Sequence, residues 1–370
     1  MQTLYNPVAT PSRLPFHPKW PNLEPMRTAL MAPILLAMVY CIPARGQAPA
    51  ATLYIELQNV VEYQVDTSDL SKYGTDPNVT QGKIARGLGV GCAGNTIIGY
   101  ADIVAVNGQP ARGTYAVRGV SVCLIPTPVS GFNGQNAIAD TTWPSMRDET
   151  YEILQSDGIP PVGTIMTSGL SSGMPSPPGP PDGSKKSAIT GGKGAFFGAR
   201  EQKGQRNNLL SGAVGERTAS ITEDPAKRRQ NGGGHTLTVL YVIPTSWPTV
   251  VTTAGGPAIV HSSDFSLVSA TKPAAAGEIL SLFATGLGPT RTSLTPGQPF
   301  PSSPLAVVNS PIDVTVNGKS AEVLGAVGYP GAVDGYQVNF RVPAGTEAGN
   351  ATLQISSAWI PGAPITIAVR

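Results

Sequence analysis

Glycine and proline interrupt this chain so often, 43 and 36 times in 370 residues, that long helices have little room to form. Glycine loses entropy in a helix, and proline removes a backbone donor and clashes with the turn before it. Both are favoured in turns. The segments between them are brief and rich in β-branched and aromatic residues, as in Leu53-Tyr54-Ile55-Glu56-Leu57 and Val60-Val61-Glu62-Tyr63-Gln64-Val65. Charged residues make up 13 % of the chain, about half the usual share. Such a composition implies an extracellular all-β protein with many turns.

Residues 26–48 carry the signs of a secretory leader. Met26 and Arg27 give a basic start, Ala29 to Ile42 is an apolar run broken only by Pro33, and Gly46-Gln47-Ala48 offers the small-x-small pattern cut by a signal peptidase. Residues 1–25 read as a non-native extension, with translation starting at Met26. The apolar run is too short for a membrane anchor, which needs roughly 20 residues, so no integral span is expected after cleavage. Cys41 follows Tyr40, where lipoprotein processing wants a small side chain. The expected location is secreted, cell-surface or periplasmic.

Of 25 basic and 23 acidic residues, the first 48 positions hold four and one, leaving 21 against 22 in the mature chain. That balance supplies no long-range field for a phosphate backbone, so nucleic acid is excluded as a partner. Lys227-Arg228-Arg229, the one basic cluster, reads as a solvated loop. Cys92 and Cys123 remain after cleavage, and in an oxidising compartment an isolated pair forms a disulfide more often than a metal site. Asn107-Gly108 is a two-residue hairpin turn that would set residues summing to 215 face to face. Cys92 and Cys123 meet that condition unless a bulge near Gly91 to Asn95 shifts the register.

About 320 mature residues exceed what one core organises, so two domains are expected. The first spans residues 51–244, with strands at Ile97 to Val106, Arg112 to Ile125, Glu149 to Gln155, Gly163 to Ser168, Ile189 to Arg200 and Thr236 to Ile243. Gly169 to Lys186 reads as a Pro/Gly/Ser loop, and Glu223 to Arg229 as one short helical stretch. Residues 245–260 are the expected linker. From His261 onward, short strands such as Glu278 to Ala284, Ile312 to Val316, Ala321 to Val327, Ala351 to Ser356 and Ile365 to Val369 imply an immunoglobulin-like β-sandwich. Tyr336, Val338, Phe340 and Val342 alternate with Gln337, Asn339 and Arg341, one face for the core and one for water.

Two resemblances sharpen this outline. Gly277 to Pro289 (GEILSLFATGLGP), Val314 to Lys319 (VTVNGK) and Gly335 to Pro343 (GYQVNFRVP) resemble an uncharacterised C-terminal domain family repeated across secreted proteins of Solibacter-type acidobacteria, itself similar to immunoglobulin-like TIG domains. The family implies a secreted accessory module with no activity to carry over. In the first domain, Gly191-Gly192-Lys193-Gly194-Ala195-Phe196-Phe197-Gly198-Ala199-Arg200 is similar to the signature of the dirigent and allene oxide cyclase barrels. It implies an eight-stranded antiparallel β-barrel in which Gly191, Gly192, Gly194, Phe196, Gly198, Ala199 and Arg200 serve the fold. Lys193 and Glu201 depart from the signature, and no catalytic residue of those families maps onto this chain.

No complete catalytic or metal constellation emerges. Gly169-Leu170-Ser171-Ser172-Gly173 matches a nucleophile elbow, yet the prolines after Met174 forbid the helix that the elbow requires. Gly89-Val90-Gly91-Cys92-Ala93-Gly94 precedes a strand rather than a phosphate-binding helix, and Gly192-Lys193-Gly194 lacks the spacing of a phosphate loop. Asp140, Asp148, Glu149 and Glu152 could supply acid/base chemistry inside a barrel, but a solvated strand end is the favoured reading. No cofactor is expected. The chain reads as a non-catalytic binding or surface module, with a small apolar ligand in the barrel or a partner at the cell surface. The alternatives are a cyclase or isomerase working in the lumen, and a purely structural envelope protein with a filled barrel.

Overall fold

The computed structural model describes residues 50–64, 96–121, 145–158, 161–171, 184–206, 215–220, 222–292, 294–295 and 297–370. Its first strand, β1 (Ala51–Gln64), already sets the inside of a barrel. Leu53, Ile55 and Leu57 are buried while Tyr54 is exposed, the two-residue period of a strand covered on one face. At Asn59 the backbone turns left-handed, with φ 54°, and the pairing with both neighbouring strands slips by one residue. Such a bulge exchanges the two faces of a strand. Beyond it Val60 joins the barrel core and Glu62 is buried, while Val61 and Tyr63 pack with Ala219 and Tyr100 in a separate cluster.

The strands that follow are β2 (Thr96–Val106), β3 (Gln109–Ser121), β4 (Ser145–Leu154), β5 (Pro161–Ser171), β6 (Ser184–Gly194), β7 (Arg200–Arg206), the short β8 (Arg217–Ser220) and β9 (Gly234–Ile243). They pair in the order β1-β2-β3-β4-β5-β6-β7-β9, and β9 returns to β1, so eight antiparallel strands close on themselves. Closure leaves these eight strands without a free edge. β8 runs parallel to the last turn of pairing on β1, beside Val61 to Gln64. At one end of the barrel the turns are tight, as at Asn107-Gly108 and residues 195–199. At the other end the strands are joined by residues 65–95, 122–144, 172–183 and 207–233.

The segment Gly169 to Lys186 differs from expectation at both margins. β5 continues to Ser171 and β6 begins at Ser184, because these proline-free flanks keep the N–H groups a ladder needs. Residues 172–183 between them lie outside the described residues. The hairpin at Asn107-Gly108 forms, but its register changes from a sum of 215 at Ala105–Pro110 to 216 at Ile103–Gly113 and onward to Thr96–Val120. The extra residue removes the facing argument for a Cys92–Cys123 disulfide, and both cysteines lie outside the described residues. The short helical stretch is a single 3-10 turn, Pro225–Lys227, capped by Asp224. Among the described residues there is no α-helix, and no helix long and apolar enough to cross a membrane.

The second sheet comprises β10 (Thr249–Val250), β13 (Ile259–His261), β14 (Ile279–Thr285), β15 (Ile312–Val316), β16 (Lys319–Gly328), β17 (Tyr336–Arg341), β18 (Gly349–Ser357), β19 (Ile360–Pro361) and β20 (Ile365–Val369); β11 (Thr252–Thr253) and β12 (Gly256–Pro257) form a small separate hairpin. β10 and β13 both pair with β14, so the sheet begins at Thr249, inside the segment expected as linker. Val250 and Ile259 are apolar enough to be drawn into its core. β16 pairs with β15 along its first residues and with β17 along its last, which curls the sheet into two facing layers. Leu280, Leu282, Val314, Val338, Phe340, Leu353 and Ile355 fill the space between them.

The two cores touch. Ala358 and Trp359, with φ of 50° and 61°, form the tight turn between β18 and β19, the geometry favoured in two-residue hairpins. Ala358 and Ile360 are buried members of the barrel's own core, at its tight-turn end. Trp359 Nε1 donates to Gln109 Oε1 at 2.9 Å, and Asn309 Nδ2 donates to the Pro161 carbonyl at 2.6 Å. Gln155 Nε2 donates in turn to the Asn309 carbonyl.

Candidate functional site

Along β4 the alternation is strict. Arg147, Glu149, Tyr151 and Ile153 are buried, and Met146, Asp148, Thr150 and Glu152 are exposed. The inward residues therefore grade from apolar near the tight turns to charged near the long connections. β5 follows the same gradient with Ile165 and Thr167, β9 with Val242, Leu240, Thr238 and Thr236, and β7 contributes Lys203 and Gln205. The lumen is divided. Leu53, Ile55, Ile153, Val162, Phe196 and Leu240 fill the half next to the second sheet, and ionisable groups gather in the other half.

Glu149 is the centre of that second half. Lys203 Nζ lies 2.9 Å from Glu149 Oε1, with side-chain exposures of 0 % and 1 %. Tyr151 Oη and Thr167 Oγ1 donate to Glu149 Oε2 at 2.9 and 3.0 Å. Burial pushes the Glu149 carboxyl up, but the Lys203 ammonium and the hydrogen bonds from Lys203, Tyr151 and Thr167 outweigh it and hold the carboxyl below the usual carboxylate range. The same burial, aided by the Glu149 charge, pushes the phenols of Tyr115 and Tyr151 well above their ordinary value. Their rings pack at 5.0 Å.

A second pair lies nearer the long connections. Arg147 holds Glu62 by a fork, Nη1 to Oε1 at 2.5 Å and Nη2 to Oε2 at 3.2 Å, both side chains buried. Bidentate geometry of this kind is the strongest that arginine offers a carboxylate. Burial works to lower the Arg147 pKa, yet the Glu62 hydrogen bond and charge raise it overall. Gln205 Nε2 donates to Glu216 Oε1 at 2.8 Å, bringing a third carboxylate to this end. Among the described residues, Arg147 Nε and Thr236 Oγ1 are buried without a hydrogen-bond partner.

Glu149 thus departs from the solvated strand end that the sequence favoured, because the period of β4 turns it inward, whereas Asp148 and Glu152 do face outward. Asp140 lies outside the described residues. The signature residues sit at the opposite end of the barrel: Gly191, Gly192 and Gly194 close β6, Phe196 plugs the lumen, and Gly198, Ala199 and Arg200 lead into β7. A Cβ on Gly192 would stand 2.1 Å from the Phe196 carbonyl oxygen, so this turn admits no side chain there. Ser171 ends β5, and His235 pairs with Glu56 at 2.7 Å, both half-buried. His261 lies in the second sheet beside Glu278. Among the described residues no three metal-ligating side chains cluster.

Sequence reading missed Glu62, Arg147, Lys203, Gln205, Tyr115 and Tyr151. The signal was present in β4 as Arg-x-Glu-x-Tyr-x-Ile, but Asp148 and Glu152 on the other face disguise its phase. Compared with models of protein families, with curated proteins and with solved structures, the chain shows no match.

Proposed function

We propose that the protein is an exported, non-catalytic binding module whose barrel receives a small molecule at its ionisable half, with the sandwich as the part that holds it at the cell surface. The observation that carries this reading is the divided lumen. Apolar side chains, including Ala358 and Ile360 from the sandwich, fill the tight-turn half, so the ligand moves from the apolar compound expected from sequence to one with polar groups. Over the paired Glu149–Lys203 and Glu62–Arg147, with Arg147 Nε and Thr236 Oγ1 lacking partners among the described residues, such a molecule finds oriented donors in a water-poor setting. The leader at residues 26–48 supports export, and the sequence resemblance of residues 262–370 to secreted accessory domains supports a surface role.

The second reading, a cyclase or isomerase, is favoured by the convergence of Glu149, Lys203 and Tyr151 within hydrogen-bond reach. Against it stands the tuning of these groups. General acid/base catalysis works best with a pKa near the operating pH, and Glu149 is held low while Tyr115 and Tyr151 are driven high. Native mass spectrometry of the mature chain from its producing host tests the proposal. A bound small molecule is expected, and it should be lost from Arg147→Met and Lys203→Met chains that remain folded. A ligand-free chain that shows no thermal shift with a polar metabolite panel would overturn it, and turnover of a panel member would favour the enzyme.

A further inference from the structure

The outward face of the layer formed by β13, β14, β17 and β16 carries a feature unrelated to the barrel. A chain of hydrogen bonds crosses it: Ser262 Oγ and Ser281 Oγ are 2.9 Å apart, Ser281 Oγ donates to Asn339 Oδ1 at 2.9 Å, and Gln337 Nε2 donates to the same oxygen at 2.9 Å. With Oδ1 engaged twice, both amides are fixed in orientation. Among the described residues, neither Asn339 Nδ2 nor Gln337 Oε1 has a side-chain partner, so both are open to water or to a ligand in the cleft beside them.

Both amides line a cleft of about 420 Å³ together with Leu305, Val327, Tyr329 and Pro330. Tyr329 is 46 % exposed, and Phe283 holds it edge to face at 5.5 Å. Gly325 sits opposite Asn339 in the ladder, and a Cβ built on it meets no atom within 4 Å. Leu305 in the lining is exposed, as is Val307, whose bridge partner Val327 also lines the cleft, so apolar surface adjoins the two amides. No lining side chain of the cleft carries a charge.

We propose that this cleft binds a neutral saccharide, with the apolar face of a pyranose ring against Tyr329 and Pro330 and its hydroxyls on Asn339 Nδ2 and Gln337 Oε1. A hydroxyl both donates and accepts, which suits a donor and an acceptor held side by side. A purely apolar occupant would strip water from the two amides and leave them unpaired, which disfavours it. A charged occupant would find no counter-charge in the lining. The size of the cleft lies within the range of small-ligand sites, roughly 300–1,000 Å³.

Affinity electrophoresis of the mature full-length chain tests this, in native gels containing hydroxyethylcellulose, laminarin, xylan, galactomannan or dextran. At least one polysaccharide should retard the chain, and its free monosaccharide should relieve the retardation. Gly325→Leu places a side chain in open space above Asn339, so it should abolish retardation with an unchanged melting temperature, and Asn339→Leu should weaken it. Free migration in every gel overturns the proposal, as does a Gly325→Leu chain retarded like the parent. A dimer in sedimentation that Gly325→Leu dissociates, without retardation by any polysaccharide, assigns the face to a second copy and also overturns it.

Discussion

Lys203 and Glu149 face each other across the barrel lumen, one from β7 and one from β4, and meet at 2.9 Å with almost no contact with solvent. Neither charge has water to fall back on. Lys203→Met should therefore destabilise the chain by about 3–5 kcal/mol, the usual result of leaving one member of a buried pair alone. The double variant Lys203→Met/Glu149→Gln should cost much less than the sum of the single ones. Urea denaturation in a double-mutant cycle measures the coupling, and additivity of the two losses would show that the pair does not act as a unit.

Acid sensitivity follows from the same carboxylate. The Glu149 pKa is depressed in the folded chain, so its contribution is complete above the pKa of an unfolded glutamate, about 4.3. It is lost as pH falls through the folded value. Glu278 acts in the same direction, because the hydrogen bond from His261 and the Ala275 N–H overcome the opposing effect of burial. Stability measured from pH 6 down to pH 3 should drop more steeply for the parent chain than for Glu149→Gln. Parallel curves would contradict the assignment.

The bulge at Asn59 gives a test at the backbone. Asn59→Val forces a β-branched residue to positive φ, with strain on the order of 1–3 kcal/mol, whereas Asn59→Gly keeps the conformation. The glycine variant loses the 2.8 Å bond from Asn59 Nδ2 to Asp102 and gains backbone freedom when unfolded. Thermal melts should rank parent, glycine and then valine. A valine variant as stable as the glycine one would show that the bulge is not fixed at this residue.

Ile360 belongs to the sandwich by sequence and to the barrel by packing. Ile360→Ala should cost about 2–5 kcal/mol. Its effect should be felt beyond β19: hydrogen exchange should quicken in β1, β6 and β9, the strands that contribute Leu53, Ile189 and Val242 to the same cluster. Exchange confined to the sandwich would separate the two cores.

The sequence reveals strand phase wherever one face is plainly apolar. Tyr336, Val338, Phe340 and Val342 are all buried, as their alternation requires. It fails in β4 and β7, where charged or amide side chains occupy both faces and periodicity has nothing to sort. In β1 the alternation misleads, because a one-residue bulge at Asn59 has no stronger mark in the sequence than an asparagine. Glu62 therefore reads as outward until the pairing on both sides is known. The link between the cores was hidden for another reason: Ala358 and Ile360 look like any hairpin residues, and only the tertiary arrangement brings them into the barrel's cluster.

The turn at Ala358-Trp359 acts as a stopper for the barrel, and this restricts how the gene can be rearranged. A sandwich transferred to an unrelated N-terminal partner would carry Trp359 and Ile360 into solvent, and the abandoned barrel would lose the residues that shut its base. A cut at residues 244–248 would thus leave apolar surface bare on both pieces.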